Sequence, residues 1–295
     1  MGNYALLAVS LFAAALGTVA KKYYTDQTGA AVKNKCIYTA FSCLVAGACL
    51  AIVGDMMKPS LFTLLLSILF GAVTALQGIA MLAAMRLGPV SYTMMFSSFS
   101  TVITALSGVL FFNERITLLK CIGLVLMLVS FVFAVEREEE KKKGNLIWLL
   151  LCITVFITTG GIGIMQKVHQ TSPYKAELDI FLVLAFCVTA IVSLTASMLL
   201  HKKQDEEKAS SPFDKKRFCL LALFTVGGGI CVAANNKLNL FLSGVMDASV
   251  FFPIANGGAV VLSTLAAFFL FKERLSVRRW IGLGIGVLSV ILLCI

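Results

Sequence analysis

Charge is scarce in this sequence. Asp, Glu, Lys and Arg supply 14% of the 295 residues, against about 25% in soluble domains. The rest is dominated by apolar side chains: 59% are hydrophobic and the mean hydropathy is +0.93. A water-soluble fold has no interior large enough for that surplus, so lipid must receive it. Histidine is nearly absent, present only as His169 and His201, and the nine cysteines stand without any CxxC pair. Neither HExxH nor GxSxG occurs. Metal sites, disulfide frameworks and intramembrane hydrolases therefore lack their usual ligands and nucleophiles. No enzyme, metal or cofactor is expected. The cysteines within apolar runs read as small buried hydrophobes.

What is present is a series of apolar runs. A bilayer's hydrocarbon core asks for about 20 such residues per helix. Runs lie near 3–20, 36–54, 61–85, 89–112, 117–135, 145–165, 178–200, 218–241, 245–271 and 276–295. Pro59, Pro89, Pro173 and Pro212 fall between runs or at their first positions, where proline is tolerated. The first run has no basic residue before it and Lys21-Lys22 after it, which is the reverse of a secretory signal. It reads as a retained helix. The carboxylates Asp26, Asp55, Glu177, Asp179 and Asp247 all sit near run ends, and none is mid-span.

One stretch is written twice. "FFNERITLLKCIGLVLMLVS" (111–130) returns 159 positions later as "LFKERLSVRRWIGLGIGVLS" (270–289), with seven of twenty positions identical. The shared Glu114-Arg115 and Glu273-Arg274 are telling because charges are so few. Repeats precede every other reading. Five spans separate the copies, and an odd number of crossings makes the second copy enter from the opposite face. The expected architecture is an all-α membrane protein of ten transmembrane helices in two inverted five-helix repeats, 1–135 and 145–295, joined by a charged linker at 136–144. Such a pattern belongs to alternating-access transporters. A helical scaffold or sensor without a transport cycle is the competing reading.

The net charge of +10 lies almost wholly between the runs, so it reads as topogenic charge and no nucleic-acid partner is expected. Odd-numbered loops hold 19 of the Lys and Arg residues and even-numbered loops five. The positive-inside rule then puts the odd loops in the cytoplasm and both termini outside.

The stretches "RLGPVSYTMMFSS", "LFFNERIT" and "IGLVLMLVS" in the first half, with "ASVFFPIANGG", "LFKERLS" and "IGLGIGVLS" in the second, give the chain a family likeness. It resembles the EamA-type permeases of the drug/metabolite transporter superfamily over essentially its whole length. Met94 departs from the pattern, since it aligns with Pro253 where both halves often carry proline. The resemblance implies a plasma-membrane permease or exporter of small organic metabolites, such as amino acids or related amphipathic solutes. It also implies a cavity between the halves and both termini in the cytosol, opposite to the charge count. Four-helix relatives rely on a glutamate in their first helix, and residues 3–20 contain no acid. The protein is expected to act as a monomer or weak homodimer in the lipid bilayer, with a small-molecule solute as its partner.

Polar residues inside spans face other helices or a cavity. In "AANNKLNLF", residues Asn235, Asn236 and Asn239 share one helical arc and point either to a solute or to a neighbouring helix. Lys237 projects to the other side, as a snorkelling or ion-paired lysine or as a counter-charge for an anionic solute. Gln77 occupies a matching place in the third span. Ser97 and Asn256 add hydrogen-bonding groups, while Tyr92 and Phe252 offer aromatic walls. Pro253 frees a backbone carbonyl within the ninth span, so with Gly257 and Gly258 it marks a candidate hinge. Glu114, Arg115, Glu273 and Arg274, at the span-to-span turns, are expected to be structural, each glutamate pairing with an arginine or capping the following helix.

Overall fold

Ser60 and Asn145 begin helices in the way their side chains allow. Ser60 Oγ accepts the Thr63 amide at 3.2 Å and Asn145 Oδ1 the Trp148 amide at 2.8 Å, filling orphan donors of a first turn. The computed structural model describes residues 2–29, 31–88, 90–134, 145–201, 215–271 and 276–294. Among these residues every regular element is a helix: α1 (Gly2–Thr28), α2 (Val32–Val53), α3 (Leu61–Leu87), α4 (Val90–Phe99), α5 (Thr101–Phe112), α6 (Leu118–Ala134), α7 (Leu146–Thr171), α8 (Leu178–His201), α9 (Lys215–Val245), α10 (Ala248–Phe271) and α11 (Val277–Cys294), with one 3-10 turn at Lys175–Glu177. The linker at 136–144 lies outside the described residues.

Eight helical stretches are long and apolar enough to cross a membrane, Tyr92–Phe112 counting as one of them. Leu118–Phe133 and Ala248–Leu262 are shorter apolar helices. Most helix ends lie within about four residues of the expected runs; α7 runs six residues further, to Thr171, and two differences are larger. First, α1 continues through Lys21 and Lys22 to Thr28, because charge ends an apolar run without ending a helix. Second, the fourth apolar run is broken at Ser100, whose Oγ donates to the Ser97 carbonyl at 2.6 Å. That hydroxyl competes for a carbonyl the helix would otherwise use.

The bundle hides small and hydroxyl-bearing residues and shows bulky apolar ones outward. Ala40, Ala46, Ala84, Thr63 and Ser289 are fully buried, while Ile52, Leu110, Phe111 and Leu199 are exposed. Lipid explains the inversion, since association there depends on close packing and interhelical hydrogen bonds rather than on escape from water. One core lies among α2, α3, α8 and α9 around Phe70, Phe181 and Leu182; a second joins α1, α6, α9, α10 and α11 around Met127, Phe251 and Leu293.

Packing partners follow a regular rule. Numbering spans in order, with α4 and α5 as one, α2 packs on α8 and α6 on α11, so the second span meets the seventh and the fifth the tenth. The contact of α1 with α9 is mirrored by α3 with α7, that of α2 with α9 by α3 with α8, and that of α1 with α10 by the α4–α5 span with α7. At atomic level, Ser130 Oγ donates to the Gly282 carbonyl at 2.7 Å, and Ser289 Oγ to the Gly123 carbonyl at 2.7 Å. The two serines are 159 positions apart, and so are the two glycines.

Candidate functional site

Two amide–hydroxyl groups link helices. Ser10 Oγ, on α1 and 1% exposed, meets Asn235 Oδ1 at 3.0 Å and Asn239 Oδ1 at 2.5 Å on α9. Asn239 Nδ2 also donates to Asn235 Oδ1 at 3.2 Å. On the next interface, Asn256 Nδ2 of α10 donates to Thr101 Oγ1 of α5 at 2.9 Å. Asn236 turns back on its own helix and donates to the Val232 carbonyl at 2.9 Å. The four asparagines are half-buried, as are Gln77 on α3 and Ser97 on α4, while Ser10 and Thr101 are buried. Tyr92 is exposed, whereas Phe252 is buried and packs edge-on against Phe251.

Lys237 leaves α9 on another flank. Its Nζ sits 2.8 and 3.0 Å from the two carboxylate oxygens of Asp179, in the first turn of α8. Asp179 also accepts the Asp55 amide at 3.1 Å. Eight residues, about 12 Å, separate Lys237 from the end of α9 at Val245, so its stem runs along the helix towards that end.

The same end of the bundle carries more charge. Asn113 closes α5 with φ 53° and ψ 31°, and the Glu114 amide donates back to the Gly108 carbonyl at 3.0 Å. This left-handed cap suits asparagine and swings Glu114 away from the helix axis. The Glu114 carboxylate then contacts Lys167 Nζ at 3.0 Å and accepts the Ala248 and Ser249 amides at 2.9 and 3.3 Å. A Cβ on Gly108 would occupy the place of Glu114 Oε2, so glycine is what admits the carboxylate. Lys167 Nζ donates onward to the Met246 carbonyl at 2.7 Å, and Lys120 pairs with Asp247 at 2.9 Å. Beside them, a cavity of about 280 Å³ is lined by Asn3, Tyr4, Lys120, Asp247 and Leu293, among others. Both chain termini therefore lie at this end, called here the terminal end.

The expected partners of Glu114 need correction. It pairs with Lys167 rather than Arg115, and it caps α10 rather than the following helix, because the Asn113 turn aims it across the bundle. Glu273 and Arg274 lie outside the described residues. Pro253 is buried inside a continuous α10, and a Cβ on Gly257 or Gly258 would strike Met127 or Leu11. These glycines thus permit close approach of α6 and α1.

The sequence profile of a family described as "Sugar transport protein" matches residues 17–295. The chain belongs to that family. As a family member with many apolar helices, it is a multi-pass membrane transporter. A solved structure described only as "Crystal structure of protein" superposes with a TM-score of 0.71 at 15% identity, over 99% of this chain and 98% of that one. A likeness at that identity concerns the fold alone. No curated protein matches this family member in sequence.

The sequence offers Thr101 with Ser97 and Ser98 as polar residues of the fourth span, but sequence reasoning missed Ser10, Lys167 and Asp179 as partners. Lys167 and Asp179 each carry a signal: a charge just inside a span end, beside a turn on the same face as another such charge. Ser10 carries none, being a single hydroxyl in an apolar run.

Proposed function

We propose that this protein moves a small, neutral, polyhydroxylated solute, a sugar, across the plasma membrane by alternating access between two inverted five-span halves. The reciprocal bonds of Ser130 to Gly282 and Ser289 to Gly123 carry the two-fold relation, since a two-fold axis maps each bond onto the other. Taking α4 and α5 as one interrupted span and including the two shorter apolar helices gives ten crossings, five in each of 1–135 and 145–295. Five is odd, so the second half is inverted. The mirrored packing partners support the same arrangement, and so does the resemblance to EamA-type permeases, which are built this way. The charge distribution favours termini outside.

A sugar is favoured over an amino acid by the description of the family and by the chemistry of the polar side chains between the helices. Lys237 and Lys167 are each satisfied by a carboxylate, which leaves neither committed to a solute's anionic group. Gln77, Ser97, Asn235, Asn236, Asn239 and Asn256 offer neutral donors and acceptors, matched to hydroxyl groups that both give and take hydrogen bonds. Tyr92 and Phe252 provide apolar walls for the C–H faces of a ring. In this reading α10 flexes at Pro253, while Gly257 and Gly258 keep its close seat on α6 and α1.

Counterflow in sealed proteoliposomes tests the proposal. Labelled hexoses, pentoses and polyols are screened beside labelled amino acids, and saturable flux is expected for at least one sugar and for no amino acid. Amino-acid flux without sugar flux would overturn the substrate assignment. The double variant Lys237→Met/Asp179→Asn removes the ion pair as a neutral unit and is expected to keep sugar flux. Its loss, in a protein that still folds, would return Lys237 to the solute.

A further inference from the structure

Four polar clasps join the two halves at the terminal end. Glu114 of the first half holds Lys167 and the first turn of α10. Lys120 holds Asp247. The Asp55 amide meets Asp179, itself bound to Lys237. Ser60 gives its amide and its hydroxyl to Glu177 at 2.9 and 2.8 Å. Any motion that opens the cleft at this end must part these contacts.

The clasps are not equivalent. The side chain of Asp247 is 50% exposed, so water replaces its lysine at little cost. Glu114 and Lys167 are only 8% and 7% exposed, and a buried pair is strongly disfavoured when one member alone is left behind. The pair is therefore either made as a unit or parted by a movement that rehydrates both groups. Such a contact has two states and little between.

What Glu114 holds is a helix end with a weak point behind it. Its oxygens accept the amides of Ala248 and Ser249, at the positive end of the α10 dipole. Four residues after Ser249, Pro253 contributes no amide, so the Ser249 carbonyl lacks its intrahelical donor. The first turn of α10 is thus fixed from outside, by Glu114, where it has one backbone bond fewer within. Ser249 Oγ, in a residue only 2% exposed, makes no hydrogen bond, and it sits where a released turn would swing.

We propose that the buried Glu114–Lys167 pair, seated on the first turn of α10, is the latch that holds the terminal end of the cleft shut. Releasing it lets residues 248–252 pivot at Pro253. The inference rests on the alternating-access reading, and it assigns the state described here as closed at the terminal end.

Ser249 supplies the reporter. In a background with the nine cysteines replaced, Ser249→Cys in the full chain is reconstituted and treated with a membrane-impermeant maleimide. Thr117→Cys, on the exposed turn before α6, marks which vesicle orientation presents the terminal end. Labelling of Ser249→Cys from that side is expected to be slow, and to rise by roughly tenfold or more with Glu114→Gln or Lys167→Met, as when a two-state balance moves by one decade. Lys120→Gln, which opens only an exposed clasp, is expected to leave the rate within about twofold. Should Glu114→Gln fail to fold, Glu114→Asp keeps the charge, withdraws it by one methylene, and is read the same way. Unchanged labelling in these variants, with solute counterflow intact, overturns the latch and leaves the transporter reading standing. Faster labelling in a protein that moves no solute of the panel overturns the transporter reading and the latch with it, leaving the pair as a structural contact.

Discussion

The α4–α5 stretch and α10 align in sequence at a spacing of 159 positions, yet they break the helix rule differently. Helix α10 contains Pro253 and runs unbroken from Ala248 to Phe271. The α4–α5 stretch has Met94 where α10 has proline, and it divides at Ser100. Proline removes one amide and leaves the helix to continue around it, provided neighbours hold both ends. Glu114 supplies that hold on α10. Ser100 acts otherwise, because its hydroxyl takes the Ser97 carbonyl and its amide reaches the same oxygen at 3.3 Å. The same hydroxyl-to-carbonyl bond at Ser67, Ser197 and Ser243 leaves their helices unbroken, so at Ser100 it marks the break and needs a second cause, for which the contact of α5 with α10 is the candidate.

The largest way to break the comparison is to remove what holds α10. Glu114→Ala strands a buried lysine and uncaps two amides, which should cost about 3–5 kcal/mol. A sharp fall in melting temperature in detergent or nanodiscs is the expected result. A fall no greater than that of Lys120→Ala would mean that the end of α10 is held by packing alone. Next in size is Pro253→Ala. It returns an amide to the Ser249 carbonyl and should stabilise α10 by about 1–3 kcal/mol, while slowing solute counterflow if the kink flexes in the cycle. Higher melting temperature with undiminished flux would remove Pro253 from the mechanism.

Much of this architecture was legible because lipid simplifies the code. Apolar runs of the right length became helices at nearly every expected boundary, and "FFNER" announced its repeat because a Glu-Arg pair stands out where charge is rare. The polar arc of Asn235 and Asn239 was legible for the same reason. Their partner Ser10 was not, since a lone serine in an apolar helix looks like any packing residue. The opposed direction of Lys237 followed from helical geometry, whereas its pairing with Asp179 depended on how α8 and α9 meet. The break at Ser100 was not legible, since no proline marks it and a hydroxyl's choice of acceptor depends on its rotamer.

A smaller effect sharpens the two-fold relation itself. Ser130→Ala and Ser289→Ala each remove one interhelical bond at equivalent places on α6 and α11. Hydrogen bonds of this kind average about 0.6 kcal/mol in membrane proteins. The two variants should destabilise by equal amounts within error, as measured by thermal or chemical unfolding in the same nanodisc. Effects that differ by more than about twofold would show that the halves have diverged at this interface.

The smallest expected effect returns to the broken span. Ser100→Ala removes the hydroxyl that occupies the Ser97 carbonyl, and alanine is the better helix former by a few tenths of a kcal/mol. The carbonyl is then open to the Thr101 amide, four residues on, and α4 and α5 can join into one helix like α10. Hydrogen exchange reads this directly: the Thr101 amide should exchange more slowly in the variant, with little change elsewhere in α5. If the amide is unaltered, the break belongs to the way α5 sits against α10, where Thr101 receives Asn256 at 2.9 Å. In that case the interruption is imposed by the opposite half, and the two spans differ through their partners rather than through their own side chains.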